Sequence, residues 1–266
     1  MTELFGFLAA VLIGVTLGLI GGGGSILTVP ALVYLVGVAP VPATAYSLFI
    51  VGLTALVGAV AYMRKGLVSY RTAVVFGVPA FLAVFATRSF IVPALPAELF
   101  SVGSFVVSRD LGIMLLFAAL MLAASVTMIR RGTRDGMEGE ISFNYPMIFL
   151  EGIVVGVLTG LVGAGGGFLI IPALVVLARL PMKLAVGTSL LIIAAKSLIG
   201  FTGDMMTMSI DWRFLGIFSV FAIGGILAGS WLTRFISGSR LKPAFGWFTL
   251  AMGVYIIGRE LAYNSF

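Results

Sequence analysis

Apolar residues dominate the chain in long runs, which are separated by short groups of charged residues, prolines and glycines. A helix that spans a bilayer needs about 20 predominantly apolar residues. We predict a helix for each of ten runs: 4–20, 25–37, 43–63, 72–87, 111–129, 147–162, 167–178, 184–203, 214–233 and 244–258. The runs 25–37 and 167–178 are too short to span comfortably, and each follows a group of glycines. We expect each of them to be half of a broken helix or a re-entrant hairpin.

Composition confirms that lipid is the solvent for most of the chain. Of the 266 residues, 61% are hydrophobic and 10% are charged, and the mean hydropathy is +1.20. A water-soluble globule needs more polar surface than this chain can supply. The chain has no histidine or cysteine, the side chains on which most metal, haem and thiol sites depend. We therefore expect an all-α polytopic membrane protein without a metal or cofactor.

The basic residues predict how the chain is oriented, since basic residues in short loops mark the cytoplasmic side. Eleven of the 16 basic residues fall in four clusters: Arg64, Lys65 and Arg71; Arg130, Arg131 and Arg134; Arg179 and Lys183; Arg234, Arg240 and Lys242. The intervening loops 37–42, 88–110 and 204–213 carry no net positive charge. We assign these loops, which include Arg88 and Asp204, and both termini to the non-cytoplasmic side.

An internal repeat relates the two halves of the chain. Residues 14–58 align without a gap to 156–200, with 19 identities in 45 positions. The match includes the glycine groups and also a Pro-Ala-Leu-Val segment, which low-complexity glycine does not explain. We divide the chain into a first repeat (1–129), a cytoplasmic linker (130–146) and a second repeat (147–266).

The second repeat should be inverted relative to the first, because five predicted segments per half is an odd number. The charges agree: Arg71 lies in a basic loop, whereas its repeat partner Arg213 lies in an acidic one. Inverted repeats with glycine-rich interruptions at corresponding positions are typical of secondary transporters that bind substrate near the bilayer midplane.

The glycine groups are the predicted substrate site. Glycine lacks a Cβ, so the backbone can leave helical geometry and approach a ligand closely. We expect short helices to begin at Ser25 and near Gly167, with first N–H groups that suit an anion. The candidate substrate-binding residues are Gly21, Gly22, Gly23, Gly24, Ser25, Gly163, Ala164, Gly165, Gly166, Gly167, Lys196, Ser47 and Ser189.

Close helix packing is the alternative explanation for glycine in membrane helices. We favour packing for three pairs, because each supplies one small residue per turn: Gly14 with Gly18, Gly156 with Gly160, and Gly225 with Gly229. We favour a ligand site for the glycine runs, because packing does not need four glycines in succession.

Lys196 is the one charge deep within a predicted span. A charge at the bilayer centre costs at least ~2.5–3.5 kcal/mol, so it is a functional candidate by default. The alternative is that Lys196 pairs structurally with Glu151 or Asp204, or snorkels outward. The hydroxyls of Ser47 and Ser189 either donate to an oxyanion or bond to backbone and neighbouring helices.

These motifs together resemble the TauE/SafE family of membrane permeases, also called the sulfite exporter or TSUP family. The resemblance is carried by Gly160–Gly167, Ile171–Leu174, Ala185–Leu190 and Ile210–Arg213, and more loosely by the equivalent first-half residues. It implies transport of small sulfur-containing anions, such as sulfite, sulfoacetate and other sulfonates, across the bacterial inner membrane.

The sequence leaves three functions open. A secondary carrier that works by alternating access is favoured, with coupling to protons or sodium unresolved; Lys196, Glu151 and Asp204 are the candidate titrating groups. A passive anion channel is the alternative, since the same glycine turns could line a pore. An intramembrane enzyme is disfavoured, because histidine is missing and Asp110, Asp204 and Asp211 lie at predicted helix ends.

Overall fold

The computed structural model describes residues 2–102, 105–130, 145–163, 165–176, 180–232 and 238–264. Each of the ten apolar runs is helical in these residues, which confirms the prediction of an all-α polytopic membrane protein. Five described helices are long and apolar enough to cross a membrane: Pro40–Arg64, Tyr70–Ala94, Arg109–Val126, Lys183–Met205 and Trp212–Leu232. Most of the predicted linker 130–146 lies outside the described residues.

The first half is interrupted by turns of unusual helix. Its elements are α1 (Thr2–Ile20), a 3-10 helix (Gly22–Leu27), α2 (Thr28–Pro30), a π-helix (Ala31–Val36), α3 (Pro40–Arg64) and α4 (Tyr70–Ala86). A second π-helix (Thr87–Ile91) and α5 (Val92–Ala94) continue α4. An antiparallel hairpin of β1 (Glu98–Val102) and β2 (Phe105–Ser108) then leads into α6 (Arg109–Arg130).

The second half repeats the order of the main helices. It comprises α7 (Tyr145–Val162), α8 (Gly167–Val176), α9 (Met182–Met205), α10 (Trp212–Leu232) and α11 (Gly238–Asn264). With ten residues, α8 is about 15 Å long, half of the hydrocarbon thickness. The end of the predicted run 167–178, residues 177 and 178, lies outside the described residues.

Each main helix contact between the two repeats has an equivalent contact in which the corresponding helices of the repeats change places. The sequence repeat pairs α1 with α7, α3 with α9 and α4 with α10. Accordingly, α1 packs on α10 as α7 packs on α4, and α3 packs on its own counterpart α9. Two copies related by a two-fold axis produce such reciprocal contacts. The inverted orientation of the copies in the membrane stays a prediction.

Glycine allows the closest of these helix contacts. An ideal Cβ on Gly14 would overlap the carbonyl oxygen of Ala222 in α10. An ideal Cβ on Gly156 would lie 2.5 Å from the carbonyl oxygen of Ala80 in α4. These two contacts are equivalent in the repeat. An ideal Cβ on Gly229 would overlap the carbonyl oxygen of Val15. The packing interpretation of these glycine pairs therefore agrees with the structure.

Gly229→Ala should destabilise the protein by about 1–3 kcal/mol, because the new methyl group would force α1 and α10 apart. Gly224→Ala is the matched control in the same helix, since nothing lies within 4 Å of its ideal Cβ. The free energy of unfolding of Gly224→Ala should be unchanged or higher by up to about 1 kcal/mol, because alanine has the greater helix propensity. Thermal unfolding of both variants in detergent measures the difference, and equal midpoints would contradict the packing interpretation.

Candidate functional site

The two glycine interruptions meet in the interior of the protein. An ideal Cβ on Gly22 would overlap the Cα atom of Gly167, and one on Gly167 would overlap the backbone of Gly22. A Cβ on Gly165 would lie 3.3 Å from the Cβ atom of Ser25. Only glycine permits backbones to approach so closely. The two glycine interruptions are therefore in contact, at Gly22 with Gly167 and at Ser25 with Gly165.

The second-half interruption is fully unwound. Gly163, Gly165 and Gly166 have φ angles of 71°, 64° and 69°, in the left-handed region that favours glycine. The following helix α8 begins at Gly167, as predicted. Ala164 lies outside the described residues.

The first-half interruption is shorter than we predicted. Only Gly21 has a left-handed φ, of 75°, and the 3-10 helix that contains Gly23 and Gly24 starts at Gly22. The predicted helix start at Ser25 is therefore wrong. Ser25 is buried, and its Oγ donates to the carbonyl oxygen of Gly22 at 2.7 Å. This bond lies within the tight turn, so the hydroxyl does not cap a new helix.

Lys196 lies beside the unwound second-half segment. Its side chain is only 1% exposed, and Nζ donates to Oγ1 of Thr159 at 2.7 Å. An ideal Cβ on Gly166 would lie 2.6 Å from Nζ. Lys196 is about 21 Å from the beginning of α9 and about 14 Å from its end, so it is deep in the helix.

The structural alternatives for Lys196 are wrong. Among the residues that the structure describes, no carboxylate lies within ion-pair distance of Nζ, so neither Glu151 nor Asp204 is its partner. Snorkelling is also contradicted by the burial of the side chain. An ammonium group has three hydrogens to donate. Two of them therefore have no partner in the described part of the chain.

The two predicted serines differ in what their hydroxyls do. Ser189 Oγ donates to the carbonyl oxygen of Val186 at 2.8 Å, the backbone bond that we considered as its alternative. Ser47 is fully buried, and its Oγ has no hydrogen-bond partner among the described residues. The hydroxyl of Ser189 is therefore occupied by the backbone, whereas that of Ser47 is unpaired among the described residues.

Arg88 and Asp204 form a buried ion pair, which corrects our assignment of both residues to external loops. Their side chains are 0% and 1% exposed, and Nη1 of Arg88 lies 3.3 Å from Oδ1 of Asp204. The same Nη1 donates to Oγ1 of Thr44 at 2.9 Å. The loop assignment failed for Arg88 because the helix that begins at Tyr70 continues past it to Ala94, and for Asp204 because α9 continues to Met205.

The sequence contained a signal for this pair that we missed. Apolar residues resume two positions after Arg88, with Phe90, Ile91 and Val92. An isolated charge followed by apolar residues is compatible with a longer span that encloses it. Run length alone could not identify Asp204 as the partner.

The unwound segment connects the two buried cations. At one end, an ideal Cβ on Gly163 would overlap Thr44, which accepts a hydrogen bond from Arg88. At the other end, Gly166 adjoins Lys196. This region holds two basic side chains and one carboxylate, that of Asp204. It is electrostatically suited to a small anion.

A separate cavity of about 520 Å³ lies between α1, the first π-helix and the first turns of α10. Its lining includes Asp211 and Arg213 but none of the predicted substrate-binding residues. It is thus distinct from the region where the glycine interruptions meet.

Known proteins match nearly the whole chain. Residues 6–256 match the family model described as Sulfite exporter TauE/SafE. A relative from Xylella fastidiosa (strain Temecula1), named "Probable membrane transporter protein", is 33% identical over 257 residues, with 94% of this chain and 93% of the relative covered. "Probable membrane transporter protein YunE" from Bacillus subtilis (strain 168) is 29% identical over 228 residues. This match covers 78% of this chain and 81% of the relative. No solved structure matches the chain significantly.

Gly163→Ala should be more destabilising than the same change at Gly66. Both glycines have left-handed φ angles, of 71° and 67°, so each substitution adds backbone strain of roughly 1–2 kcal/mol. Only at Gly163 would the methyl group also overlap Thr44, whereas nothing lies within 4 Å at Gly66. Unfolding midpoints of the two variants give the comparison. Equal losses would show that the close approach at Gly163 is unimportant.

Proposed function

From the premise that the chain belongs to the sulfite exporter TauE/SafE family, whose members are membrane transporters, we propose that it is a secondary carrier of a small sulfur-containing anion. Sulfite, thiosulfate and small sulfonates form the substrate class. The anion binds where the two glycine interruptions meet, and alternating access moves it across the membrane.

The observation that carries this proposal is the environment of Lys196. Burying an ammonium group costs several kcal/mol unless it is paired. Lys196 is 1% exposed, and its one described hydrogen bond goes to the neutral hydroxyl of Thr159. An anion bound beside Gly166 would supply the missing charge and accept the remaining N–H groups. Helix α8 begins at Gly167, next to Gly166, and the N-terminus of a helix favours negative charge.

Alternating access is supported by the reciprocal packing of the two repeats. Substrate sites of inverted-repeat transporters lie at the interface between the repeats. The contact between Gly22 and Gly167 is such an interface, because each glycine belongs to a different repeat. The proposed moving units are 1–129 and 147–266, in a bacterial inner membrane with both termini non-cytoplasmic. Proton or sodium coupling fits this scheme equally well.

Lys196→Met should weaken anion binding by about 10- to 100-fold, because a hydrogen bond to a charged group contributes about 1.5–3 kcal/mol. Methionine retains the length and apolar stem of lysine, so folding should persist. Lys183→Met is the matched control, since Lys183 lies on the same helix and is exposed. Titration of purified protein with sulfite, thiosulfate and methanesulfonate measures the affinities. Unchanged affinity in Lys196→Met would remove the residue from the site.

Reconstituted protein should show counterflow. A carrier that alternates between two faces accelerates uptake of labelled sulfite when unlabelled sulfite is inside the vesicle, whereas a channel does not. Vesicles loaded with sodium gluconate serve as the control. Uptake that is identical with and without internal sulfite would replace the carrier with the anion channel.

A further inference from the structure

We propose that Arg88 forms a second oxyanion subsite, distinct from Lys196. The edge of its guanidinium made by Nε and Nη2 binds two oxygens of the transported anion, and Asp204 is the counter-ion that gives way when the anion arrives. This inference rests on the proposed function, because it assigns a further substrate contact to the same pathway.

The contact between Arg88 and Asp204 is unusually incomplete. Arginine and carboxylate groups frequently pair through two parallel hydrogen bonds, with N–O distances of about 2.7–2.9 Å. Here a single contact of 3.3 Å joins Nη1 to Oδ1. The second carboxylate oxygen, Oδ2, is buried without a hydrogen-bond partner among the described residues. Asp204 therefore neutralises the charge of Arg88 without occupying its bidentate edge.

That edge is formed by the two nitrogens that lack partners. Nε and Nη2 of Arg88 are both buried and have no hydrogen-bond partner in the part of the chain that the structure describes. Their N–H groups point in parallel from one side of the planar guanidinium, the geometry that matches two oxygens of a carboxylate, sulfite or sulfonate. Leaving buried donors unpaired is unfavourable, and most strongly so on a charged group. An oxyanion satisfies both at once.

The local backbone supports a functional role. Arg88 lies in the π-helix Thr87–Ile91, and single turns of π-helix within α-helices are frequent at functional sites. Gly203 allows α9 to close on this turn, since its ideal Cβ would lie 3.0 Å from the Cβ atom of Arg88. Because Arg88 is fully buried in this arrangement, the anion must reach it when α4 and α9 separate.

The subsite and Lys196 adjoin the same glycine-rich segment. Asp204 lies eight residues after Lys196 on α9, about 12 Å along the helix axis. Gly163 lies against Thr44, the hydrogen-bond partner of Arg88, and Gly166 lies against Lys196.

The repeat shows that this subsite exists at one end of the pathway only. The positions equivalent to Arg88, Asp204 and Thr44 are Ser230, Tyr62 and Val186. None of these is an arginine or a carboxylate, so the scaffold is duplicated but the ion pair is not. The two faces of the carrier should therefore differ in how they receive the anion.

Arg88→Lys tests the bidentate edge. Lysine keeps the positive charge opposite Asp204 but lacks the planar fork, so affinity for methanesulfonate should fall about 10-fold or more. Affinity for chloride, a spherical anion that cannot use two parallel N–H groups, should change much less. Arg213→Lys is the matched control at an exposed position. Binding is measured by titration of the purified full-length protein.

Asp204→Asn tests the counter-ion without altering Arg88. It should raise methanesulfonate affinity several-fold, since the competing carboxylate is removed while the size of the side chain is kept. If Arg88→Lys binds methanesulfonate and chloride with wild-type affinity, and Asp204→Asn binds methanesulfonate with unchanged affinity, the proposed subsite is rejected. If Arg88→Lys does not fold, the Asp204→Asn result decides alone.

The outcome for Lys196→Met separates this inference from the proposed function. Loss of binding in Lys196→Met with normal binding in both ion-pair variants would leave the anion carrier intact and reject only the Arg88 subsite. Absence of binding of every oxyanion probe to the wild-type protein would reject both.

Discussion

The contact between two interrupted helices is the constraint on which the rest of the structure depends. Hydrocarbon offers no hydrogen bonds, so backbone that leaves helical geometry must be enclosed by protein or face a polar cavity. Here each interruption is enclosed by the other, through the close approach of Gly22 and Gly167. The surrounding helices then pack reciprocally around this centre, α1 on α10 and α7 on α4.

Duplication has produced a symmetric scaffold that carries asymmetric chemistry. The glycine contacts between helices recur in both halves, whereas the two buried basic residues lack basic counterparts: Lys196 corresponds to Thr54, and Arg88 to Ser230. Backbone packing must be matched on both sides if two similar halves are to rock about one centre. Side-chain charge is not fixed by this packing, so the charged positions could diverge between the halves.

Local features of the sequence were reliable where a single segment determines its own structure. The ten apolar runs formed helices because lipid accepts only segments whose backbone bonds are satisfied internally. The break before Gly167 was located because left-handed φ angles favour glycine. The start of the first short helix was misplaced at Ser25, since the hydroxyl that suggested a cap bonds instead to Gly22 within a 3-10 turn.

The sequence by itself determined the solvent, the number of helical segments, the repeat and the deep position of Lys196, because hydropathy, glycine content and internal similarity are properties of the chain alone. Only the tertiary structure decided which residues meet. It paired Arg88 with Asp204 across 116 positions of sequence and left Lys196 without a carboxylate partner among the residues that the structure describes. Partners of buried charges are chosen by helix packing, and packing depends on contacts between segments that no single segment encodes.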